Sequence, residues 1–308
     1  MAANAFDDPI RVLQVATSNR SFFSQQVSVL EARNVECETL IVPRPREGTR
    51  GVRSYLSVYL QLLGKSLADF DLIHVNYGLL APMGVCQPGR PLVVTLWGSD
   101  VLGPRWLKVL SETSVRFSDA VIAPTKPLQR ALSVPSEFVP FGIDYSLFRP
   151  IDRGRAREEL GWPKDEHVVL FPYDPGREEK NAALARRITN QLEGVRLETV
   201  TGVPYKSMPT YMNASDALLI TSNYESGPLS VCEAAACNVP VVSRDVGFVS
   251  DVLDGVEPSV ITNDEASLRD GLAEILAGDR RSNGRSVTDR SLDRFGDGIT
   301  RVYQKVLN

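Results

Sequence analysis

The sequence has few of the residues that build metal centres and disulfide frameworks. Among its 308 residues there are four cysteines and two histidines. No two cysteines form a C-x-x-C pair, and two histidines are too few to complete a zinc site of the usual kind. We therefore expect buried, reduced thiols and no resident metal or cofactor. The cysteines are Cys37, Cys86, Cys232 and Cys237.

Long apolar runs and an excess of basic residues are also missing. No window approaches the roughly eighteen uncharged apolar residues of a membrane-spanning helix, and residues 1–11 lack the basic and apolar regions of a signal peptide. The formal net charge is −4, which argues against nucleic acid as the main partner because binding its phosphates requires a basic face. These features predict a cytoplasmic protein.

The first turn of the chain has no glycine. Residues 10–16 form an apolar run, residues 22–33 have helical spacing and residues 38–42 are strand-like, which predicts a β-α-β opening. The turn Thr17-Ser-Asn-Arg-Ser-Phe22 lacks the G-x-G-x-x-G fingerprint, so an NAD-type enzyme is not expected. Arg20 in this turn either faces a phosphate or lies solvated on the surface.

What the sequence does contain is two successive alternations of strands and helices. Six short apolar segments in the first half predict strands, the last of them at residues 138–141. Glycine and two prolines within residues 139–150 interrupt the pattern, and it resumes at residues 167–171. We predict an α/β protein with two Rossmann-like domains facing a cleft.

Residues 217–243 predict a strand, a loop, a helix and a second strand of a parallel sheet. Glu225 lies in the loop, Gly227 and Pro228 end it, and Glu233 follows about one turn inside the helix. Two carboxylates flanking a helix N-terminus suit a ligand that carries both hydroxyls and phosphates. Glutamates in loops and in first helical turns are also common without any ligand, and the two carboxylates alone leave both interpretations open.

Two basic residues, Arg177 and Lys180, stand just before a predicted helix at residues 182–193. A guanidinium and an ammonium beside free helix N–H groups match the needs of a diphosphate. The alternative is a solvated pair neutralised by Glu178 and Glu179.

A polar turn, Trp97-Gly98-Ser99-Asp100, follows the strand at residues 92–96. It is expected at the carboxyl edge of the first sheet, where open α/β sheets bind ligands. Asp100 is the acidic group of this turn, and an N-cap or an Asx turn is its alternative role.

These segments together resemble the retaining glycosyltransferases of family 4, which have the GT-B fold. Glu225-x7-Glu233-Ala followed by Val239-Pro-Val-Val-Ser243 is similar to that family's signature, and residues 139–150 resemble its interdomain crossing. Trp97 replaces the histidine of the family's H-G-x-D segment, so the proton chemistry of that histidine is not available at this position. The resemblance implies domains at residues 1–143 and 144–288, with a C-terminal helix at 289–308 that packs back on the first domain.

The resemblance also implies the reaction and the site. It implies transfer of a hexosyl group, without a metal, from a nucleoside-diphosphate sugar to a hydroxyl acceptor, with Arg177, Lys180 and Glu225 as catalytic residues. Glu225 binds sugar hydroxyls and Glu233 the ribose hydroxyls. The implied donor-binding residues are Val203, Gly227, Pro228, Leu229, Ser230 and Glu233, and the implied acceptor side comprises Trp97, Gly98, Asp100 and Arg20.

Two other functions remain open, a non-catalytic nucleotide-sugar-binding subunit and a GT-B epimerase that acts on the nucleotide sugar itself. Turnover of the donor to free diphosphate separates the first from a transferase, and the second needs no acceptor. The donor base, the sugar and the acceptor, whether glycan, lipid-linked or small molecule, are not specified by these motifs.

The segment from Arg44 to Leu63 predicts either a membrane-binding surface or an ordinary core helix. Arg44, Arg46, Arg50 and Arg53 flank a largely apolar helix at residues 55–63. Basic residues beside an apolar surface attract anionic lipids by about 1 kcal/mol each. The alternative is a core helix behind a solvated loop.

Overall fold

The computed structural model describes residues 5–19, 21–44, 50–89, 91–225, 227–278, 281–284 and 290–308. The chain divides into two compact units. The first unit comprises Met1–Gly142 and Leu292–Asn308, and the second comprises Ile143–Ser291.

The first unit is built on a six-stranded parallel sheet. Its strands are β1 (Ile10–Ala16), β2 (Val35–Ile41), β3 (Leu72–Asn76), β4 (Leu92–Thr95), β5 (Ala120–Ala123) and β6 (Glu137–Phe138), in the order β2-β1-β3-β4-β5-β6. The helices are α1 (Ser21–Glu31), α2 (Val52–Leu63), α3 (Ala81–Val85), α4 (Ser99–Leu102), α5 (Arg105–Val115), α6 (Lys126–Ala131) and, from the end of the chain, α13 (Leu292–Leu307). The prediction of a Rossmann-like opening half is confirmed.

The second unit is built on a five-stranded parallel sheet. Its strands are β7 (His167–Phe171), β8 (Val195–Thr199), β9 (Ala217–Ile220), β10 (Val241–Ser243) and β11 (Ser259–Ile261), in the order β11-β10-β9-β7-β8. The helices are α7 (Arg153–Leu160), α8 (Ala182–Thr189), α9 (Met208–Ala214), α10 (Leu229–Ala236), α11 (Val249–Leu253) and α12 (Glu265–Gly278).

Helix α13 packs on the first unit through one apolar face. Phe295, Ile299 and Val302 are buried and join a core cluster with Val12 and Leu72. On the same helix a Cβ at Gly296 would lie 2.6 Å from Cζ of Arg33, so any larger residue there would have to displace this guanidinium. The Arg33 guanidinium then donates to Asp297 (2.8 Å) and Asp293 (3.2 Å).

Two polar bonds from Tyr303 on α13 reach the middle of the first sheet. Its hydroxyl accepts a hydrogen bond from Gln14 Nε2 (2.9 Å) and lies 2.7 Å from Nδ1 of His74, whose Nε2 lies 2.7 Å from Thr95 Oγ1. Burial lowers the pKa of His74 to about 3, which keeps the imidazole neutral. His74 is therefore a neutral histidine of the core.

Three local predictions were wrong in detail. The strand expected at residues 138–141 ends at Phe138 because Pro140 has no N–H to donate to a neighbouring strand. The expectation of buried thiols holds for Cys232 and Cys237, but Cys86 is exposed and Cys37 is only partly buried. Helix α8 ends at Thr189, four residues before the predicted end.

No helix in the described part of the chain is long and apolar enough to cross a membrane.

Candidate functional site

A buried lysine lies at the carboxyl edge of the second sheet. Lys180 ends a short 3-10 turn, Glu178–Lys180, in the loop after β7, and the residue is 4 % exposed. Its ammonium forms an ion pair with Glu225 and lies 4.0 Å from the centre of the Tyr173 ring. Burial lowers the pKa of Lys180, and the charge of Glu225 opposes that shift. A buried charge is held by such partners because water cannot solvate it.

Backbone and side-chain bonds join the loops after β7 and β9. Thr221 Oγ1 donates to the carbonyl oxygens of Lys180 and Asn181, at 3.0 Å each. The Asn223 N–H donates to the Glu179 carbonyl at 2.8 Å, and Ser222 Oγ donates to Glu225 Oε1 at 2.8 Å. Lys180 and Glu225, 45 positions apart in sequence, are thereby fixed side by side.

Arg177 lies outside this buried cluster. Its side chain is 51 % exposed and its guanidinium pairs with Glu179, to which Nε donates at 2.7 Å. The alternative of a solvated cation neutralised by a neighbouring glutamate therefore holds for Arg177. It does not hold for Lys180, which is buried.

The second carboxylate, Glu233, lies inside α10 and is 6 % exposed. Tyr205 donates its hydroxyl proton to Glu233 Oε1 at 2.8 Å. Burial raises the pKa of Glu233 from 4.5 to about 7, and the bond from Tyr205 opposes the shift. Tyr205 follows the turn that contains the half-buried Val203. A carboxylate that is half protonated near neutral pH both accepts and donates hydrogen bonds.

Helix α10 begins at Leu229, after Pro228 in extended conformation with no side-chain cap. The first N–H groups of a helix have no partner within it, so this end attracts anions. Ser230 in the first turn lies 2.5 Å through Oγ from the Tyr173 hydroxyl. Gly227 is partly buried just before the helix.

Tyr173 and Tyr205 were missed from the sequence. Tyr173 contacts both Lys180 and Ser230, and burial raises the pKa of its hydroxyl above its ordinary value. An aromatic residue two positions beyond the end of β7 was the available signal for Tyr173. For Tyr205 no sequence pattern indicates the bond to Glu233.

In the first unit, the turn after β4 is organised by Asp100. The carboxylate is fully buried and accepts from the main-chain N–H groups of Trp97 (3.0 Å), Gly98 (2.7 Å) and Gly78 (2.9 Å). Gly98 has φ 116°, which favours glycine. By these contacts Asp100 stabilises the loop, in line with the structural role, an N-cap or an Asx turn, that was the alternative for this residue. Trp97 packs beside Phe22 with ring centres 4.5 Å apart. Arg20 lies outside the described residues.

The predicted residues therefore fall into separate groups. Lys180, Glu225 and Ser230 meet through Tyr173, and Glu233 lies on the same helix as Ser230. Trp97, Gly98 and Asp100 form a turn of the first unit.

Comparisons with known proteins point to sugar transfer. The family model described as "Glycosyl transferases group 1" matches residues 175–286. Proteins named D-inositol 3-phosphate glycosyltransferase are similar to this chain. The Actinosynnema mirum protein is 27 % identical over 303 residues, which cover 76 % of this chain and 72 % of that protein. The Mycobacterium tuberculosis protein is 29 % identical over 301 residues, which cover 77 % of this chain and 62 % of that protein.

Solved structures share the fold at low sequence identity. Sucrose-phosphate synthase from Thermosynechococcus elongatus has a TM-score of 0.81 at 16 % identity, covering 96 % of this chain and 98 % of that one. Anabaena HepE in complex with UDP and glucose has a TM-score of 0.67 at 17 % identity, covering 96 % and 99 %. The predictions of fold class and of enzyme class are confirmed: the chain is a glycosyltransferase with two parallel-sheet units of the GT-B fold.

Proposed function

We propose that the chain transfers a hexosyl group from a nucleoside-diphosphate sugar to a hydroxyl acceptor, with retention of configuration and without a metal ion. The observation that carries this proposal is the buried ammonium of Lys180, held between Tyr173 and Glu225 beside α10. A fixed, water-poor positive charge at the carboxyl edge of a parallel sheet suits a diphosphate.

In the proposed reaction, the bond between the sugar carbon and the diphosphate oxygen breaks and negative charge grows on that oxygen. Lys180 and the free N–H groups at the start of α10 stabilise the growing charge, and Arg177 adds a second, more exposed cation. Groups already in place at the site of developing charge give the largest catalytic effect. The departing phosphate takes the proton of the acceptor hydroxyl, so no side chain is assigned as general base.

Glu225 and Glu233 hold the two ends of the donor in this proposal. Glu225 accepts hydrogen bonds from sugar hydroxyls, and the ionised Glu233 accepts from both ribose hydroxyls, with Tyr205 fixing one of its oxygens. Val203 covers one face of the base. Gly227 and Leu229 present main-chain N–H groups to the sugar and the phosphates.

UDP-glucose is the first donor to test, because Anabaena HepE, which shares the fold, is described in complexes with UDP and UDP-glucose. A thermal-shift screen of UDP-, GDP-, ADP- and dTDP-sugars identifies the donor, since bound ligand stabilises by mass action. Release of free nucleoside diphosphate together with a glycosylated product with the donor's anomeric configuration supports the proposal. Donor binding without turnover contradicts it and favours a non-catalytic subunit.

The assignment of Glu233 is tested by Glu233→Ala. We expect donor affinity to fall by about 1–3 kcal/mol, the cost of leaving buried polar groups unpaired. Calorimetry measures this, with Glu274→Ala, at an exposed glutamate of the same unit, as the matched control. Unchanged nucleotide-sugar affinity contradicts the assignment.

A peripheral contact of the first unit with anionic membranes from the cytoplasmic side is a further part of the proposal. One side of α2 is exposed: Val52 is 83 % exposed, Leu56 52 % and Leu60 60 %. The opposite side, with Val58 and Leu62, is fully buried. Arg53 lies in the first turn of the same helix, and cations beside an apolar face favour anionic lipid.

Co-sedimentation with vesicles tests the contact. Binding to phosphatidylserine vesicles, loss of binding in the double variant Leu56→Ser and Leu60→Ser, and none to neutral phosphatidylcholine support it. Equal binding by the variant contradicts it.

A further inference from the structure

The second unit has a further pocket at the amino edge of its sheet, opposite to the edge that holds Lys180. Asp216, which directly precedes β9, lines this pocket, whereas Thr221, which directly follows β9, bonds the carbonyl of Lys180. A strand rises about 3.3 Å per residue, so these two positions lie about 16 Å apart along β9. The pocket is therefore separate from the candidate site at the carboxyl edge.

Three arginines line this pocket around one carboxylate. Asp216 Oδ1 accepts from Arg153 Nη1 at 2.5 Å, and Asp216 Oδ2 accepts from Arg157 Nη2 at 2.7 Å. The main-chain N–H of Val168 also donates to Oδ2, at 2.7 Å. Both oxygens of the carboxylate are therefore engaged before the third arginine, Arg281, is counted.

The lining has more positive than negative charge. Three guanidinium groups share one carboxylate, which leaves a net charge of +2. The other charged side chains of the lining, Asp152 and Lys164, are exposed and opposite in sign. Residues 279–280 and 285–289 lie outside the described residues, and each stretch contains one aspartate and one arginine. None of these pairs changes the sum of the formal charges.

Arg157 holds the pocket together from inside. Its side chain is 2 % exposed, its Nε donates to the Ala214 carbonyl at 2.9 Å, and its Nη1 donates to the Lys164 carbonyl at 2.6 Å. These bonds connect α7 to the end of α9 and to the segment before β7. Arg157 thus fixes the position of Asp216, and the other two arginines are the ones open to a ligand.

Arg281 has more donors than the protein uses. Its Nη1 donates to the Ser215 carbonyl at 3.1 Å and its Nη2 to the Asn213 carbonyl. A guanidinium has five N–H donors, so three are left for a ligand as far as the described part of the chain shows. Burial lowers the pKa of Arg281, the charge of Arg153 lowers it further, and Asp216 opposes the shift. An anion in the pocket would relieve this repulsion.

The start of α7 adds to the positive field. Arg153 and Gly154, in its first turn, both line the pocket. The first main-chain N–H groups of a helix have no partner within it, and they attract phosphate groups. The N–H of Ile151 donates to Asn213 Oδ1 at 2.8 Å, which fixes the entry to α7 against α9.

Volume and charge restrict the ligand. The pocket has a volume of about 430 Å³, within the range of about 300–1,000 Å³ that is usual for small-molecule sites. Ile275 and Leu276 of α12 give it an apolar wall. A phosphate monoester has a charge of about −1.5 to −2 near neutral pH and three acceptor oxygens, which matches the excess charge of the lining. A single carboxylate would neutralise only half of it.

We infer that this pocket binds the phosphate monoester group of a small molecule. The phosphoryl oxygens accept hydrogen bonds from Arg153, Arg281 and the first turn of α7, since guanidinium groups match phosphate geometry. The carbon part of the molecule lies along Ile275 and Leu276. This is a second binding site, and it does not depend on the proposed transfer reaction.

Isothermal titration calorimetry without any nucleotide sugar tests the site. The probes are inorganic phosphate, glycerol 3-phosphate and acetate at constant ionic strength. We expect both phosphates to bind with a Kd below about 1 mM and acetate to bind about tenfold more weakly, a difference of about 1.4 kcal/mol. Arg153→Gln should raise the Kd of glycerol 3-phosphate about tenfold, also about 1.4 kcal/mol. Arg155→Gln, at an exposed arginine of the same helix, is the matched control and should leave that Kd unchanged.

The same titrations in Lys180→Met separate this pocket from the candidate donor site. Phosphate binding that persists in Lys180→Met and weakens in Arg153→Gln supports the inference. Loss of binding in Lys180→Met, equal binding of acetate, or no binding of either phosphate overturns it and leaves the arginines as structural partners of α9.

A measurement on the wild-type chain does not require any variant to fold. Phenylglyoxal modifies accessible arginines, and peptide mass spectrometry follows each position. Glycerol 3-phosphate should slow the modification of Arg153 and Arg281 at least about threefold at a concentration of several Kd, because bound ligand covers them in proportion to occupancy. Arg155 should react at the same rate with and without it. Unprotected Arg153 and Arg281 contradict the inference, whatever the outcome of the transfer assays.

Discussion

The two units place opposite chemistry at the same edge of the same kind of sheet. In the second unit, the buried Lys180 pairs with the partly buried Glu225 across two loops. In the first, Asp100 is buried but its carboxylate is used by main-chain N–H groups of its own and a neighbouring turn. One edge therefore carries a buried ammonium with a carboxylate partner, whereas at the other edge the buried carboxylate stabilises loops beside aromatic rings.

The largest effect is expected from removing the ammonium of Lys180 at the carboxyl edge of the second sheet. Lys180→Met removes the buried ammonium and leaves Glu225 without its counter-ion. We expect kcat to fall by about 10²–10³, the usual result of removing one transition-state donor. The rise in KM should be smaller, because in the proposed reaction the charge that Lys180 stabilises grows only in the transition state. Steady-state kinetics with the identified donor measure both constants.

Two variants sharpen this result. Arg177→Ala should also lower kcat more than it raises KM, but less than Lys180→Met does, since the Arg177 side chain is 51 % exposed and solvent screens its charge. Lys164→Met, at an exposed lysine of the same unit, is the matched control. A pure KM effect for Lys180→Met would refute its assigned role.

The next largest effect is expected from a substitution of Asp100 at the carboxyl edge of the first sheet. Asp100→Asn keeps the shape but supplies one acceptor oxygen and an NH₂ group where the three N–H donors of Gly78, Trp97 and Gly98 converge. We expect the free energy of unfolding of the first unit to fall by about 1.5–3 kcal/mol, the value of hydrogen bonds to a charged group.

Urea unfolding followed by tryptophan fluorescence measures this loss. The exposed neighbour Ser99→Ala is the control and should change stability little. If the donor affinity of Asp100→Asn fell as much as its stability, the separation of roles between the two edges would be wrong.

The smallest effect concerns pH. The pKa of Glu233 is raised to about 7 by burial, so its ionised form is lost as pH falls through 7. If ribose binds to the ionised carboxylate, the apparent donor Kd at pH 6 should be about tenfold higher than at pH 8, because affinity scales with the competent fraction. Calorimetry with UDP-glucose from pH 6 to 8 checks the slope, and a wild-type slope retained in Glu233→Gln would exclude Glu233 as its source.

Much of the fold was predictable because its signals are local. Apolar runs bounded by turn residues identified β1, β7 and β9 with nearly their observed bounds, and the Gly-Pro pair identified the start of α10. Such features follow from backbone sterics and burial within a few residues.

The partners of the site residues were not predictable, because they depend on contacts between distant segments. The sequence placed Arg177 and Lys180 in one loop but did not reveal that one is buried beneath Tyr173 and the other solvated. The bond from Tyr205 to Glu233 spans 28 positions and has no periodic signal. The arginine-lined pocket at the amino edge of the second sheet likewise depends on segments that lie far apart in sequence.

The placement of α13 has a consequence for synthesis. Residues 292–308 complete the first unit, supplying Tyr303 to His74 and Gln14 and accepting Arg33 beside Gly296. During translation, all of the second unit has left the ribosome's catalytic centre before these partners exist. The part of the protein that is made first is therefore the part that can be completed last, and a chain that lacks residues 292–308 contains every residue of the second unit but not all of the first.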